Sequence, residues 1–352
     1  MSTTADRNAV GGTGLSAAER VQRMAFTVLG RLPRSLLRRL VPRVINSDGD
    51  VMAPEVAVLM RLSAAGPDLS DGAVAEARVF METDARTYAD TAPGVSRQDY
   101  TLPTGIAATL FTPPHAGDGL VLFFHGGGFA LGNVAAYDGP VCTIATAARV
   151  RILSVEYRLA PEHPFPAPIE DAIAAWRFAL DSATEWNVDP ARIALLGDSA
   201  GATIAAVLAN ELRAESVRPA LQVLMYPSTD FDGSHGSRTE FADSPALTAK
   251  QISWFAELYV PDPEQRSNPR VSPLRTRDLT GAPPTLITVA GFDPLRDEAI
   301  AYAKRLRDAG VPVRLLREGD LVHGYISMTL ISPAARAAVN RVSRVLADTV
   351  GF

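Results

Sequence analysis

The five residues Gly197-Asp198-Ser199-Ala200-Gly201 set a hydroxyl where it could act as a nucleophile. A short apolar run, Ile193 to Leu196, leads into them, and an Ala-rich apolar stretch at helical spacing follows. Strand, sharp turn with a serine at its tip, then helix is the context of a nucleophile elbow. Glycines flank the serine because the strained turn leaves no room for a Cβ where strand and helix cross. A serine hydroxyl is a weak nucleophile near neutral pH and needs an adjacent base.

The chain has five histidines, and chain order selects among them. On such a sheet the partners follow in the order Ser, then Asp or Glu, then His. His115, His125 and His163 precede Ser199, and His235 lies in a long irregular segment. His323 remains, just after an apolar strand and directly before Gly324, and is the expected base. The acid that orients the imidazole should stand at a strand end between the two. Asp293 follows the strand TLITVA and is the choice. Asp297 is the rival, one helical turn further on, and reads as a first-turn acid favourable to the helix dipole. Asp320 is too close in sequence to reach around the ring of His323. The oxyanion needs N–H donors. These are assigned to Ala200, at the start of the elbow helix, and to Gly127 and Gly128 of His125-Gly-Gly-Gly128, which leaves the apolar run Leu120 to Phe124. His125 is read as an anchor of that loop. Activity is expected to rise with pH through a His-like group, roughly pH 6 to 7.

Bringing residues 199, 293 and 323 to one rim requires a particular scaffold. Gln98–Leu102 and Ile106–Thr112 alternate apolar and polar around Pro103-Thr-Gly105 and predict a hairpin. Leu120–Phe124, Ile152–Glu156, Leu221–Met225, Thr285–Val289 and Val313–Leu316 read as buried strands. Helical patterns cover residues 135–148, 169–180, 296–309 and 333–350. Strands alternating with helices indicate an α/β fold whose mostly parallel sheet is covered on both faces. Ser228 to Pro283 breaks the rhythm, being rich in Pro, Asp, Ser and Arg with one helix signal at Thr248–Tyr259. An insertion this long is expected to form a lid or substrate loop.

Residues 1–14 are polar and glycine-rich and are expected to be disordered. Ser16 and Glu19 have capping-box spacing. Val21 to Val44 has helical spacing interrupted at Pro33 and Pro42, and Arg31, Arg34, Arg38, Arg39 and Arg43 give it a basic face. Such a segment could lie on an anionic membrane. Its prolines and short apolar runs favour a lid helix packed on the domain by its apolar stripe. Pro54–Ala64 and Asp71–Tyr88 read as further helices. The expected division is a tail at 1–14, cap helices at 15–90, a catalytic domain at 91–228 and 284–352, and a cap insertion at 229–283.

With 352 residues, 47% hydrophobic and 21% charged, the chain can bury a large core. A net charge of −5 argues against nucleic acid as a partner. The single cysteine, Cys142, permits no disulfide within a monomer, which fits a cytoplasmic location, and it reads as a small buried hydrophobe. No apolar run approaches the roughly 20 residues that cross a bilayer, so no stable membrane anchor is expected. The oligomeric state is left open, a homodimer included.

Taken together, His125-Gly-Gly-Gly-Phe129, Tyr157-Arg-Leu-Ala-Pro-Glu162, Phe165-Pro-Ala-Pro168, Gly197-Asp-Ser-Ala-Gly201, Asp293-Pro-Leu-x-Asp297 and His323-Gly-Tyr325 resemble the hormone-sensitive-lipase-like (bacterial family IV) esterases of the α/β-hydrolases. The resemblance covers about Pro54 to the C-terminus. It implies an eight-stranded, mostly parallel sheet under a helical cap, and hydrolysis of short- to medium-chain carboxylic esters. It implies no cofactor and no metal, the roles already assigned, and supporting roles for Asp198, Arg158 and Glu162. A departure is Ala202, where the family usually has a second glycine after the elbow. An interfacial lipase, or a small-molecule receptor on the same fold, is the alternative reading.

Overall fold

A computed structural model describes residues 16–351 apart from 65, 67 and 89–91. The expected tail at 1–14 lies outside the described residues. Four helices come first: α1 (Ala17–Leu29), α2 (Arg34–Leu40), α3 (Pro54–Ser63) and α4 (Val74–Tyr88). Ser16 and Glu19 form the expected capping box on α1. Pro33 begins α2, and the extended residue Val41, held before Pro42, ends it.

The α/β part follows. Its elements are β1 (Ser96–Thr101), β2 (Ala107–Thr112), β3 (Leu120–Phe124), α5 (Asp138–Ala148), β4 (Arg151–Val155), α6 (Ala167–Ser182), β5 (Ile193–Asp198), α7 (Ala200–Glu211) and β6 (Leu221–Met225). Then come α8 (Gly236–Glu240), α9 (Ala249–Tyr259), β7 (Thr285–Phe292), α10 (Arg296–Asp308), β8 (Val313–Val322) and α11 (Pro333–Val350). One eight-stranded sheet runs β1-β2-β4-β3-β5-β6-β7-β8. β1–β2 and β2–β4 are antiparallel and the remaining pairs parallel.

Continuous apolar runs make these strands because both faces of the sheet are covered. Along β3, Leu120, Leu122 and Phe124 enter one core while Val121 and Phe123 enter the other. Along β5, Ile193 and Leu195 alternate with Ala194 and Leu196 in the same way. α7 is buried on every side from Ala200 to Ala209, which its alanines allow by keeping the helix thin against the sheet.

Three local features differ from the sequence expectation. β8 continues past Leu316 to Val322, because Arg317 and Glu318 are carried on an edge strand and paired with Asp48, Asp50 and Arg341. The irregular segment contains a second, short helix, α8, which the polar sequence Gly236-Ser-Arg-Thr-Glu240 does not announce. On α1, only part of the apolar surface packs: Phe26 and Leu29 join the core, while Val21, Met24 and Val28 face outward and no α1 residue is fully buried. Cys142 is buried as expected, but Arg97 Nη2 lies 3.0 Å from its sulfur. Among the described residues no helix is long and apolar enough to cross a membrane.

Candidate active site

The turn between β5 and α7 holds Ser199 at φ 52°, a left-handed conformation that non-glycine residues adopt only under strain. Its neighbours show why glycines flank it. A Cβ on Gly197 would strike the carbonyl of Gly201, and one on Gly201 would strike the carbonyls of Phe124 and His125. The N–H of Ser199 donates to the carbonyl of Met225 at 2.9 Å, which fixes the turn to the end of β6.

β7 delivers Asp293 and β8 delivers His323 to the same rim. Asp293 is fully buried, and its Oδ1 accepts the N–H of Leu295 at 2.8 Å. Its Oδ2 lies 2.8 Å from His323 Nδ1, and His323 Nε2 lies 2.9 Å from Ser199 Oγ. With Asp293 ionised, Nδ1 carries the proton and donates to it, so that Nε2 accepts from the serine hydroxyl. Gly324, at φ 73°, turns the chain directly after the imidazole. The residues set aside lie elsewhere. Asp297 accepts the N–H of Ser237 at 2.8 Å and pairs with Arg296. His235 Nε2 is 3.1 Å from Asp230.

The glycine run after β3 lies beside this trio. Gly127 has φ 119° and Gly128 φ 60°, and the Gly127 carbonyl is turned into its own loop, accepting from Ala130 and Leu131 at 3.1 and 2.8 Å. Gly127, Gly128, Ser199 and Ala200 all line one cavity. Ala200 is the first residue of α7, where N–H groups lack intrahelical partners and the dipole favours negative charge. His125 is completely buried, stacked on Tyr157 with centroids 4.3 Å apart, and its Nδ1 donates to the Gly126 carbonyl at 2.8 Å. Burial lowers its pKa to about 4, so it anchors the loop as a neutral ring.

A family described by its alpha/beta hydrolase fold matches residues 121–327. The chain belongs to the α/β-hydrolase family. Within it the chain falls among the hormone-sensitive-lipase-like esterases. It is 44% identical to the esterase LipI of Mycobacterium tuberculosis over 246 residues, 68% of this chain and 77% of that protein. It is 36% identical to the carboxylic ester hydrolase LipN of the same organism over 320 residues, 85% of this chain and 84% of that one. An ester hydrolase from the metagenome of Lake Arreo, solved with a bipyridine phosphonate derivative, superposes with a TM-score of 0.81 at 35% identity, covering 86% of this chain and 100% of its own.

In this hydrolase the cavity has a volume of about 280 Å³. α4 contributes Phe80, Met81, Asp84, Ala85 and Tyr88 to its wall, and α9 contributes Gln251, Ile252, Phe255 and Ala256. The Phe255 ring occupies the space where a Cβ on Gly128 would fall. Arg78 of α4 fastens the N-terminal helices to the glycine loop region. Its Nε donates to the Ala130 carbonyl at 2.8 Å, its Nη2 to the Ala160 carbonyl at 2.9 Å, and it pairs with Glu162. Arg158 forks onto buried Asp171 instead. Of the three residues expected to support the site, Arg158 and Glu162 make these contacts outside the cavity, and Asp198 lines it.

Asp198 is among the residues expected to support the site, whereas Tyr226, Arg238 and Glu298 are not anticipated from the sequence. Asp198 is buried and accepts the Gly126 N–H at 2.8 Å and the Tyr137 hydroxyl at 3.2 Å, and burial pushes its pKa up to about 6. The Tyr226 hydroxyl donates to the same carboxylate, and its ring stands against His323. Tyr226 directly follows the apolar strand β6, a strand-end position that was the available signal. Glu298 is fully buried on α10 and accepts from Thr229 N–H at 2.7 Å and Arg238 Nε at 2.8 Å, tying the irregular segment to α10. Nothing local in the sequence pairs 238 with 298.

Proposed function

We propose that this carboxylic ester hydrolase works through an acyl-enzyme formed on Ser199. The observation that carries the reading is the relay in which one imidazole is within hydrogen-bond reach of both Ser199 Oγ and Asp293 Oδ2. His323 Nε2 removes the hydroxyl proton as Oγ attacks the ester carbonyl carbon. The carbonyl oxygen becomes an oxyanion, and the N–H groups of Gly127, Gly128 and Ala200 are the donors proposed to receive it. Asp293 holds the ring and offsets the charge of the imidazolium. The imidazolium gives its proton to the alkoxide as the C–O bond breaks, and the alcohol leaves. Water then repeats the cycle: His323 takes its proton as hydroxide adds to the acyl carbon, the C–Oγ bond breaks, and the imidazolium returns the proton to Ser199 Oγ as the acid leaves.

The N-terminal helices and residues 229–283 are read as the cap, since α4 and α9 supply much of the cavity wall. A cavity near the lower end of the ~300–1,000 Å³ usual for small-molecule sites suits short to medium acyl groups. The single buried cysteine is in keeping with a cytoplasmic enzyme. The test is turnover of p-nitrophenyl acetate and butyrate by the wild type and by Ser199→Ala. The reading expects the variant to fall to background, and a variant at wild-type rate would overturn it.

A further inference from the structure

The chain carries −5 overall, yet residues 17–43 hold seven arginines against one glutamate, a local net of +6. The same stretch leaves large apolar side chains in solvent. Val21 is 69% exposed, Met24 67% and Val28 53%. Their spacing, i, i+3 and i+7, puts them in one stripe along α1, opposite the Phe26–Leu29 face that packs inward. On α2, Leu36 and Leu40 are exposed one turn apart while Leu37 turns into the core. Arg31, Arg38, Arg39 and Arg43 are exposed around these stripes, and among the described residues they form no ion pair. A stripe of this kind on a water-facing helix is costly unless something covers it.

The surface also leads to the cavity. α1 packs on α4, with the rings of Phe26 and Tyr88 at 4.7 Å. α4 exposes Val79 and Phe80, and Phe80 and Tyr88 line the cavity that contains Ser199. We propose that the outer face of α1 and α2 is a reversible docking surface for an anionic lipid bilayer, which holds the mouth of the Ser199 cavity against the membrane interface. Apolar side chains entering the acyl boundary, with guanidinium groups at the level of the phosphates, are the chemistry of a peripheral amphipathic helix. Charge selects this occupant. The remainder of the chain is strongly acidic, so a second copy would meet the arginines only through a different, acidic face, whereas a bilayer of anionic phospholipid presents negative charge above an apolar layer.

The proposal is tested by co-sedimentation of the full chain with vesicles of phosphatidylcholine alone and of phosphatidylcholine with phosphatidylglycerol, at low and high salt. Binding is expected to the anionic vesicles only and to weaken as salt is raised. Arg38→Gln/Arg39→Gln/Arg43→Gln should lower the partition coefficient about a hundredfold, near fivefold per arginine. Val21→Ser/Met24→Ser/Val28→Ser should weaken it as well. Both variants should keep the wild-type rate on a dissolved ester, which establishes that they fold. The vesicle readout does not involve turnover, so it stands or falls separately from the esterase reading. Equal binding to neutral vesicles, no binding to anionic ones, or full binding by the arginine variant overturns the proposal. So does a dimer in sedimentation equilibrium that the Val21/Met24/Val28 variant dissociates while vesicles leave the wild type unbound.

Discussion

The Tyr226 ring stands edge-on to the imidazole of His323, with centroids 4.9 Å apart, while its hydroxyl reaches Asp198 Oδ2 at 3.4 Å. The same hydroxyl accepts the N–H of Ile326 at 3.3 Å, just beyond the His323 turn. One side chain therefore joins the carboxylate before Ser199 to the loop that carries His323. Tyr226→Phe keeps the ring and deletes both hydrogen bonds. Urea denaturation should show a loss of about 1–3 kcal/mol, the usual result of leaving buried groups unpaired. The rate on p-nitrophenyl butyrate should fall by less than about tenfold, because the Ser199–His323–Asp293 contacts do not pass through the hydroxyl. Unchanged stability would contradict this account of Tyr226.

Gly128 is fixed by two constraints, its φ of 60° and the Phe255 ring where a Cβ would fall. Gly128→Ala should move the loop and, on its proposed role as an oxyanion donor, lower kcat by about 10²–10³. Gly128→Ala/Phe255→Ala removes the collision but keeps about 1–2 kcal/mol of backbone strain, so kcat should recover only in part. Steady-state kinetics on the two variants checks both statements. Full recovery would show that backbone conformation contributes nothing.

How much of this could be read in advance depends on the range of the interaction concerned. The elbow was legible because Gly197, Ser199 and Gly201 meet over five residues and carry their strand and helix with them. His323 and Asp293 followed from chain order and strand ends, without knowledge of distance. Tyr226, Arg238 and Glu298 were not legible, since each acquires its partner only when strands and helices far apart in sequence are brought together. The antiparallel placing of β2 beside β4 is likewise a pairing choice that alternation of apolar residues does not encode. By composition Arg317 to Asp320 read as a loop that ends the strand at Leu316, while the edge position of β8 lets their charged side chains find partners outside the sheet.

Asp198 should make stability depend on pH. Its folded value near 6 lies above the free value of 3.8 because burial penalises the anion. The protonated form is thus favoured in the folded state. Its contribution is fully present below about pH 4 and is lost as pH rises through about 6, some 3 kcal/mol in all. Asp198→Asn retains an acceptor for the Gly126 N–H and removes the titration. The slope of unfolding free energy against pH between about 4 and 7 should be shallower in the variant, measured by urea denaturation at each pH.

Asp84 sits in the apolar cavity wall, and burial pushes its carboxyl up to about 6. A neutral apolar ester desolvates it further and so binds better when Asp84 is protonated. Affinity of Ser199→Ala for such an ester should therefore weaken several-fold from about pH 5 to about pH 8. In Ser199→Ala/Asp84→Asn it should be flat. Titration calorimetry on the two variants decides the matter free of the ionisation that drives turnover.

The hydroxyl of Ser199 is proposed to carry the acyl group between the two halves of the reaction. Rapid quenching in acid during the first turnovers of p-nitrophenyl butyrate, followed by peptide mass spectrometry, examines that directly. One butyryl group should be found on the peptide containing Ser199, appearing with the burst of nitrophenol and absent from Ser199→Ala. An intact peptide at Ser199 throughout turnover, or the acyl group on another residue, would contradict it.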